Sequence, residues 1–587
     1  MTFLRPEVRR GWRATFNAER LAQWGRSPLT WILVACALVR VVGIGWGLPA
    51  SDGWDNDGVA PRDFLAGLVE TFTPGHYFTY PPFHLLVLGL LTSPVTIVAL
   101  LRAPSLAPPD VIAEILNVSY MTGIAYIARF TTLVMSLGIT YAMAKIAEAV
   151  RDRRAGYCAA AITGIDVSFT YYGKMTNLDV PYLFWGSLAL LALVRAIAWN
   201  EPRRLRAFVI LAVLAVATKD QAYALFLVGA PLAIGAWFVF DPRAREGARG
   251  IVRELGRGLA IGAGLFLVVD AVILNPTGFR ARLGFLVGPA SQDFANYSND
   301  MTGRLRVIEE TARLYASLWP SAFIVLAVGG IVLHLWRKKH EAPSRWVAGL
   351  APLLTGISFT LAFNCIARRV EHRFILPQSL MLAVYAGLAV HAFLFELRGR
   401  VARLFAQAAL AVAFARGIFL VVNLDANLLL EPRYDAERWM REHFAPGDRV
   451  ETYGLNVYIP RFPDNVHVTR IGLDPAARRN PMPGFEERQD RFENVEARKP
   501  RWIVISEGWA WRYLTPLPKT EEGGVITPST QIQTRGDPSA TSYFHELLDG
   551  RRGYRVAHVG EFKSDIWSRV DLHGSTGRPT WILERVQ

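Results

Sequence analysis

Apolar blocks close to one membrane thickness in length recur along this chain, and short arginine-rich joints separate them. The blocks run from about residue 30 to 48, 83 to 101, 119 to 149, 155 to 172, 178 to 199, 205 to 218, 221 to 240, 255 to 274, 317 to 336, 346 to 365, 373 to 396 and 401 to 423. A helix of about 20 apolar residues crosses a hydrocarbon core of about 30 Å. A chain patterned in this way is a polytopic α-helical membrane protein, in keeping with 52% hydrophobic residues and a mean hydropathy of +0.22 over 587 residues. Cys36, Cys158 and Cys365 lie inside apolar blocks, without metal-ligand spacing or a disulfide framework, and read as core thiols. The net charge of +14 does not point to nucleic acid, because many of the arginines sit beside membrane blocks, where orientation in the bilayer accounts for them.

Cytoplasmic loops carry the excess of Lys and Arg. The N-terminal stretch 1–29 holds Arg9, Arg10, Arg13, Arg20 and Arg26, and the block after it reads as an uncleaved first helix. Arg151-Asp152-Arg153-Arg154, Arg203-Arg204-Leu205-Arg206, Arg243 to Arg257, Arg337-Lys338-Lys339 and Arg398-Gly399-Arg400 all fall on that same side only if one block before residue 119 does not cross. Phe83 to Leu101 follows Pro81-Pro82 and is interrupted by Ser93-Pro94, so it reads as an interfacial or re-entrant helix, leaving about eleven spans. The expected organisation is a cytoplasmic tail 1–29, a membrane domain 30–424 with an outer loop 49–118, and an extracytoplasmic domain 425–587.

From Asp425 the chain turns polar. Tyr434 to Met440 has helical periodicity, and short β-rich runs follow at 449–453, 466–471, 502–505, 554–559 and 581–586. This predicts a soluble α/β domain on the outer face, with Pro516 to Ser539 as a long loop.

The outer face gathers the candidate chemistry. Asp55 and Asp57 lie in a Gly-flanked loop, and Asp179 follows Thr176-Asn177-Leu178 where a helix re-enters the membrane. Carboxylates beside a bilayer are costly unless paired or used; one can serve as general base for a hydroxyl while another orients the acceptor. Taken singly, each is also a plain helix cap or loop residue. Lys219 ends a helix on the side where cations are unexpected, as do Arg368, Arg369, His372 and Arg373, so an anionic lipid headgroup is a natural partner. The plainer reading pairs Lys219 with Asp220 and Arg373 with Glu371. Arg40, inside the first helix, must snorkel or pair. Arg129 opening a helix reads as structural, Tyr80 precedes Pro81-Pro82, and His84 is a lone histidine better suited to packing than to ligation. Asp55, Asp57 and Asp179 would accept Mg²⁺ or Mn²⁺ without demanding either.

At these residues the chain resembles the GT-C class of integral-membrane glycosyltransferases, specifically bacterial relatives of protein O-mannosyltransferases and lipid A aminoarabinose transferases. The matching points run in order: the acidic loop, Tyr80-Pro81-Pro82, Arg129, Asp179-Val180-Pro181, Thr218-Lys219, Asn275-Pro276 and Arg373-Phe374-Ile375-Leu376-Pro377. Ala436 to Trp439, Pro446 to Val450 and Trp502 to Glu507 continue the order in the tail. The family commonly carries Asp-Glu in the first loop, whereas here Asp55-Asn56-Asp57 leaves both aspartates as candidates for the catalytic place. The resemblance implies a polyprenyl-phosphate-linked sugar donor and a lipid, glycan or protein acceptor. It also implies transfer on the extracytoplasmic face of a bacterial inner membrane, with inversion at the anomeric carbon. In that scheme Lys219 and Arg373, with Arg369 and His372 nearby, face the donor phosphate. No Rossmann or P-loop fingerprint appears, as suits a donor without a nucleotide. A transporter or flippase of a lipid-linked anion would also use membrane cations and acidic loops, but no inverted repeat supports it. A non-catalytic membrane scaffold leaves the acidic loop unexplained.

Overall fold

The computed structural model describes residues 25–476, 480–516, 523–529 and 538–586, apart from 571, 573 and 575. The basic residues Arg9 to Arg20 lie outside the described residues. Among the described residues, eight helices are long and apolar enough to cross a membrane, from Phe83–Arg102 to the helical stretch Arg400–His443. The chain is a polytopic helical membrane protein with a C-terminal α/β domain.

Two apolar blocks depart from the simple span pattern. The block 155–172 breaks into helices Arg153–Gly164 and Val167–Tyr172, because Asp166 caps the second: its Oδ1 accepts the Phe169 N–H at 2.9 Å. Its other oxygen accepts the Trp319 indole N–H at 3.0 Å and the Ser379 hydroxyl, so the buried carboxylate is satisfied.

The helix Phe83–Arg102, by contrast, is continuous where an interruption was expected. Pro94 cannot donate to the Leu90 carbonyl, and the Ser93 hydroxyl does so instead at 2.8 Å, so the turn survives. By length and composition this helix could cross. Its packing, however, stays at one end of the 33-residue helix Val118–Val150: Leu85 and Leu88 cluster with Met121, Ile124 and Ala128, and Val95 faces Gly123. A crossing helix would reach the far half of that neighbour. The Leu85, Leu88 and Val95 contacts set this helix against the first turns of Val118–Val150.

The last membrane helix, Arg400–Leu429, runs unbroken through Asp425, where the chain begins to turn polar. Helix Pro432–His443 leads into a six-stranded sheet of β1 (Arg449–Tyr453), β2 (His467–Gly472), β3 (Phe485–Gln489), β4 (Trp502–Ser506), β5 (Tyr554–Gly560) and β6 (Thr580–Arg585). Their spatial order is β3-β2-β1-β4-β6-β5; β1 to β4 pair in parallel and β6 pairs antiparallel with both β4 and β5. Alternation along β4 serves both faces, Trp502 and Val504 packing under Met440 and Phe444 while Ile503 and Ile505 pack with Trp509 and Phe544.

The carboxyl end of β1 helps position the site, because the segment after it docks on the loop that follows helix Pro28–Val41. Asn456 donates to Asp52 Oδ2 at 3.0 Å, Trp54 Nε1 to the Ile459 carbonyl at 3.1 Å, and Arg461 to the Leu48 carbonyl at 2.7 Å.

Candidate functional site

Two acidic loops distant in sequence are stitched together by one threonine. The Val59 N–H donates to the Thr176 carbonyl at 3.2 Å, and the Thr176 hydroxyl both donates to the Ala60 carbonyl at 2.9 Å and accepts its N–H at 3.4 Å. A Cβ on Gly58 would come within 2.7 Å of that hydroxyl, so only glycine permits the approach. Asp57 and Asp179 thereby face one small pocket, which Tyr80, Asn177, Lys219 and Arg373 complete.

The charges in it are paired across elements. Arg373 Nη1 lies 2.5 Å from Asp57 Oδ2, and its Nε is 2.8 Å from Glu371 Oε2. Lys219 Nζ lies 2.7 Å from Asp179 Oδ1, which also accepts the Gln221 amide at 3.1 Å. Arg369 pairs with the other oxygen of Glu371. Asp57, Asp179 and Glu371 thus balance Lys219, Arg369 and Arg373. Burial opposes ionisation of Glu371, but the Arg373 and Arg369 guanidiniums hold its carboxyl below the usual range.

Lys219 turns away from its plainer local partner, Asp220. Asp220 faces Arg282 instead, at 3.2 Å, and Arg282 also holds Asp270 at 2.6 Å. The Arg373–Glu371 pair does form, but it shares Arg373 with Asp57.

Other candidates fall outside the pocket. Asp55 is buried beneath it, its Oδ1 accepting the Asp57 backbone N–H at 3.5 Å, so it shapes the loop. Arg40 lies inside the bundle, donating to the Thr140 hydroxyl at 3.4 Å with its guanidinium 4.5 Å from the Phe169 ring centre. His84 is buried in the first turn of its helix, and His372 is not among the residues lining the pocket. Arg129 sits three turns into its helix rather than opening it, and holds the first loop by donating to the Ile44 and Trp46 carbonyls at 2.6 and 2.8 Å. Sequence reasoning missed Gln221, whose amide donates to Asp179; a lone glutamine after Lys219-Asp220 carries no signal of its own.

Among the described residues no three His, Cys, Asp or Glu side chains lie where they could hold a metal. Asp57 and Asp179 each turn an oxygen to a cation. An apolar groove, lined by Val213, Val216, Tyr223, Phe226, Leu255 and Leu259, lies among the helices that flank Lys219 in sequence.

No family model matches the chain, and no curated protein matches it. Among solved structures it is similar to ArnT from Cupriavidus metallidurans in the apo state, at 14% identity and a TM-score of 0.47, covering 85% of this chain and 98% of that one. It is also similar to ArnT from the same organism bound to undecaprenyl phosphate, at 14% identity and a TM-score of 0.41, covering 81% and 92%. A third is the Archaeoglobus fulgidus oligosaccharyltransferase with Zn and sulfate, at 15% identity and a TM-score of 0.41, covering 82% and 69%. Function is read from the pocket itself.

Proposed function

We propose that this protein is a membrane glycosyltransferase that moves a sugar from a polyprenyl-phosphate donor to an acceptor hydroxyl on the extracytoplasmic face. The observation that carries the reading is the pocket: two cations, Lys219 and Arg373, and two carboxylates, Asp57 and Asp179, converge there from elements far apart in sequence. A phosphate on a lipid tail suits this pocket by its charge, resting against Lys219 and Arg373, while the apolar lining of the groove suits the tail.

The phosphate competes with Asp57 and Asp179 for the two cations, so donor binding releases carboxylates that the resting pocket keeps paired. The acceptor oxygen then attacks the anomeric carbon while the bond from that carbon to the phosphate oxygen breaks. The electron pair leaves with the polyprenyl phosphate, where Lys219 and Arg373 stabilise it, and the acceptor proton passes to Asp57. A single displacement inverts the anomeric centre. Asp57 is preferred over Asp55 because it lines the pocket, and Asp179 orients the acceptor.

Turnover of a labelled polyprenyl-phosphate sugar by membranes containing the protein tests the reading; binding of the donor with no transfer to any acceptor fraction would overturn it. The orientation places the N-terminus in the cytoplasm and the soluble domain outside. A reporter fused after Leu430 that is active only in the cytoplasm would refute this.

A further inference from the structure

A short run of the soluble domain, residues 523–529, lies on the outer loop of the membrane domain instead of on its own sheet. Val525 bridges Tyr297 in antiparallel fashion, the Ser298 N–H donates to the Gly524 carbonyl at 2.8 Å, and the Ile526 N–H donates to the Asn296 carbonyl at 2.9 Å. Arg306 Nε donates to the Gly523 carbonyl at 3.0 Å, and the Ser529 hydroxyl to the Asp293 carbonyl at 3.1 Å. The fit is close: Gly524 has φ +83°, and a Cβ there would stand 2.9 Å from the Gly303 nitrogen.

The other side of this loop segment holds the arginine turn. The Asn296 N–H donates to the Arg368 carbonyl at 3.0 Å, and the Arg368 guanidinium donates to the Tyr297 carbonyl at 3.1 Å and the Ser291 carbonyl at 3.4 Å. Arg368 is left-handed, φ +52°, a conformation that a non-glycine residue keeps when its surroundings over-determine it. From that reversal the chain runs through Arg369 and Glu371 to Arg373 and Asp57, each linked to the next by an ion pair.

We infer that Arg368 is a positioning residue for the donor-phosphate site, and that residues 523–529 are the clamp that holds it. The inference rests on reading Arg373 as a phosphate ligand. The Arg368 guanidinium is spent on backbone carbonyls and does not line the pocket, so it acts on the phosphate through the placement of Arg373. The soluble domain thereby takes part in donor binding without touching the donor.

The test is binding of a polyprenyl monophosphate to the purified full-length protein in detergent, with thermal stability measured alongside. Arg368→Ala and Ile526→Pro, which removes the N–H given to Asn296, are expected to weaken binding by about tenfold, and Arg368→Lys to recover most of it. Tyr297→Cys with Val525→Cys occupies a non-hydrogen-bonded antiparallel pair, where the Cα atoms stand about 4.5 Å apart and a disulfide can form. The oxidised form should bind more tightly than its reduced form. Weak binding by Arg373→Ala together with unaltered binding by Arg368→Ala and Ile526→Pro would overturn the clamp alone. Unaltered binding by Arg373→Ala would overturn the phosphate reading and this inference with it. Loss of affinity that only tracks loss of thermal stability, with no rescue by Arg368→Lys, would also overturn it.

Discussion

The pocket and the Lys174 site in the bundle both hold buried charge, and they look alike until their surroundings are compared. In the pocket, the Lys219 and Arg373 side chains keep 14% and 15% exposure, Asp57 keeps 22%, and the second oxygen of buried Asp179 has no partner among the described residues. In the bundle, Lys174 is 0% exposed, pairs with Asp425, and also donates to the Val39 and Val42 carbonyls at 3.1 and 2.7 Å. Arg40 lies on Phe169 close by. The bundle pair ties the first and last membrane helices together and is sealed. The pocket pairs can be reached, and their partners can be exchanged for a ligand. Charge buried in a membrane protein therefore points to function only when it stays open to exchange.

The largest expected difference separates Asp57 from Asp425. Asp57→Asn should lower turnover by about 10² to 10⁴ with expression unchanged, because shape is kept and the proton acceptor is lost. The same variant should bind a polyprenyl monophosphate a few-fold more tightly, since Arg373 loses an internal competitor. Weaker binding would break the exchange model. Asp55→Asn should cost far less turnover, as it lies beneath the pocket.

Asp425→Asn should do the reverse, destabilising the fold by about 3 to 5 kcal/mol by leaving Lys174 buried without its partner. Yield and melting temperature are the measurements. Replacing both, Lys174→Met with Asp425→Leu, should restore much of the stability; failure to do so would mean the bundle pair has a role beyond holding helices.

Lys219→Ala and Arg373→Ala should each weaken polyprenyl monophosphate binding by about ten- to a hundredfold with smaller effects on melting temperature. Equal losses in binding and stability would make the pocket resemble the bundle, and the comparison would collapse.

The smallest effect concerns pH. The Glu371 carboxyl is held below its usual range, so its pairing contributes stability above the unfolded value of about 4.3 and loses it as pH falls through the lower folded value. Phosphate binding should hold through the neutral range and fall only on stronger acidification. A midpoint near pH 6 would point to another group.

The membrane class, the basic joints and most of the sheet were legible because hydropathy, charge and two-residue alternation belong to residues and their near neighbours. β1, β2, β4, β5 and β6 lie where alternating runs predict strands. β3, Phe485-Glu486-Glu487-Arg488-Gln489, was not legible, since an edge strand with polar faces carries no apolar alternation. Helix Pro538–Leu548 likewise begins inside the stretch expected to be a loop.

Asp57, Asp179, Lys219 and Arg373 were also legible as candidates, because acidic loops and outer-face cations stand out against a bilayer. Their partners were not. Lys219 turns from adjacent Asp220 to Asp179, Arg40 withdraws into the bundle with Phe169, and Arg368 gives its donors to the outer loop. The sequence by itself determined where charge occurs and on which side of the membrane it is expected. Only the tertiary structure decided which charge meets which, because an ion pair depends on distances between side chains that chain neighbours do not set.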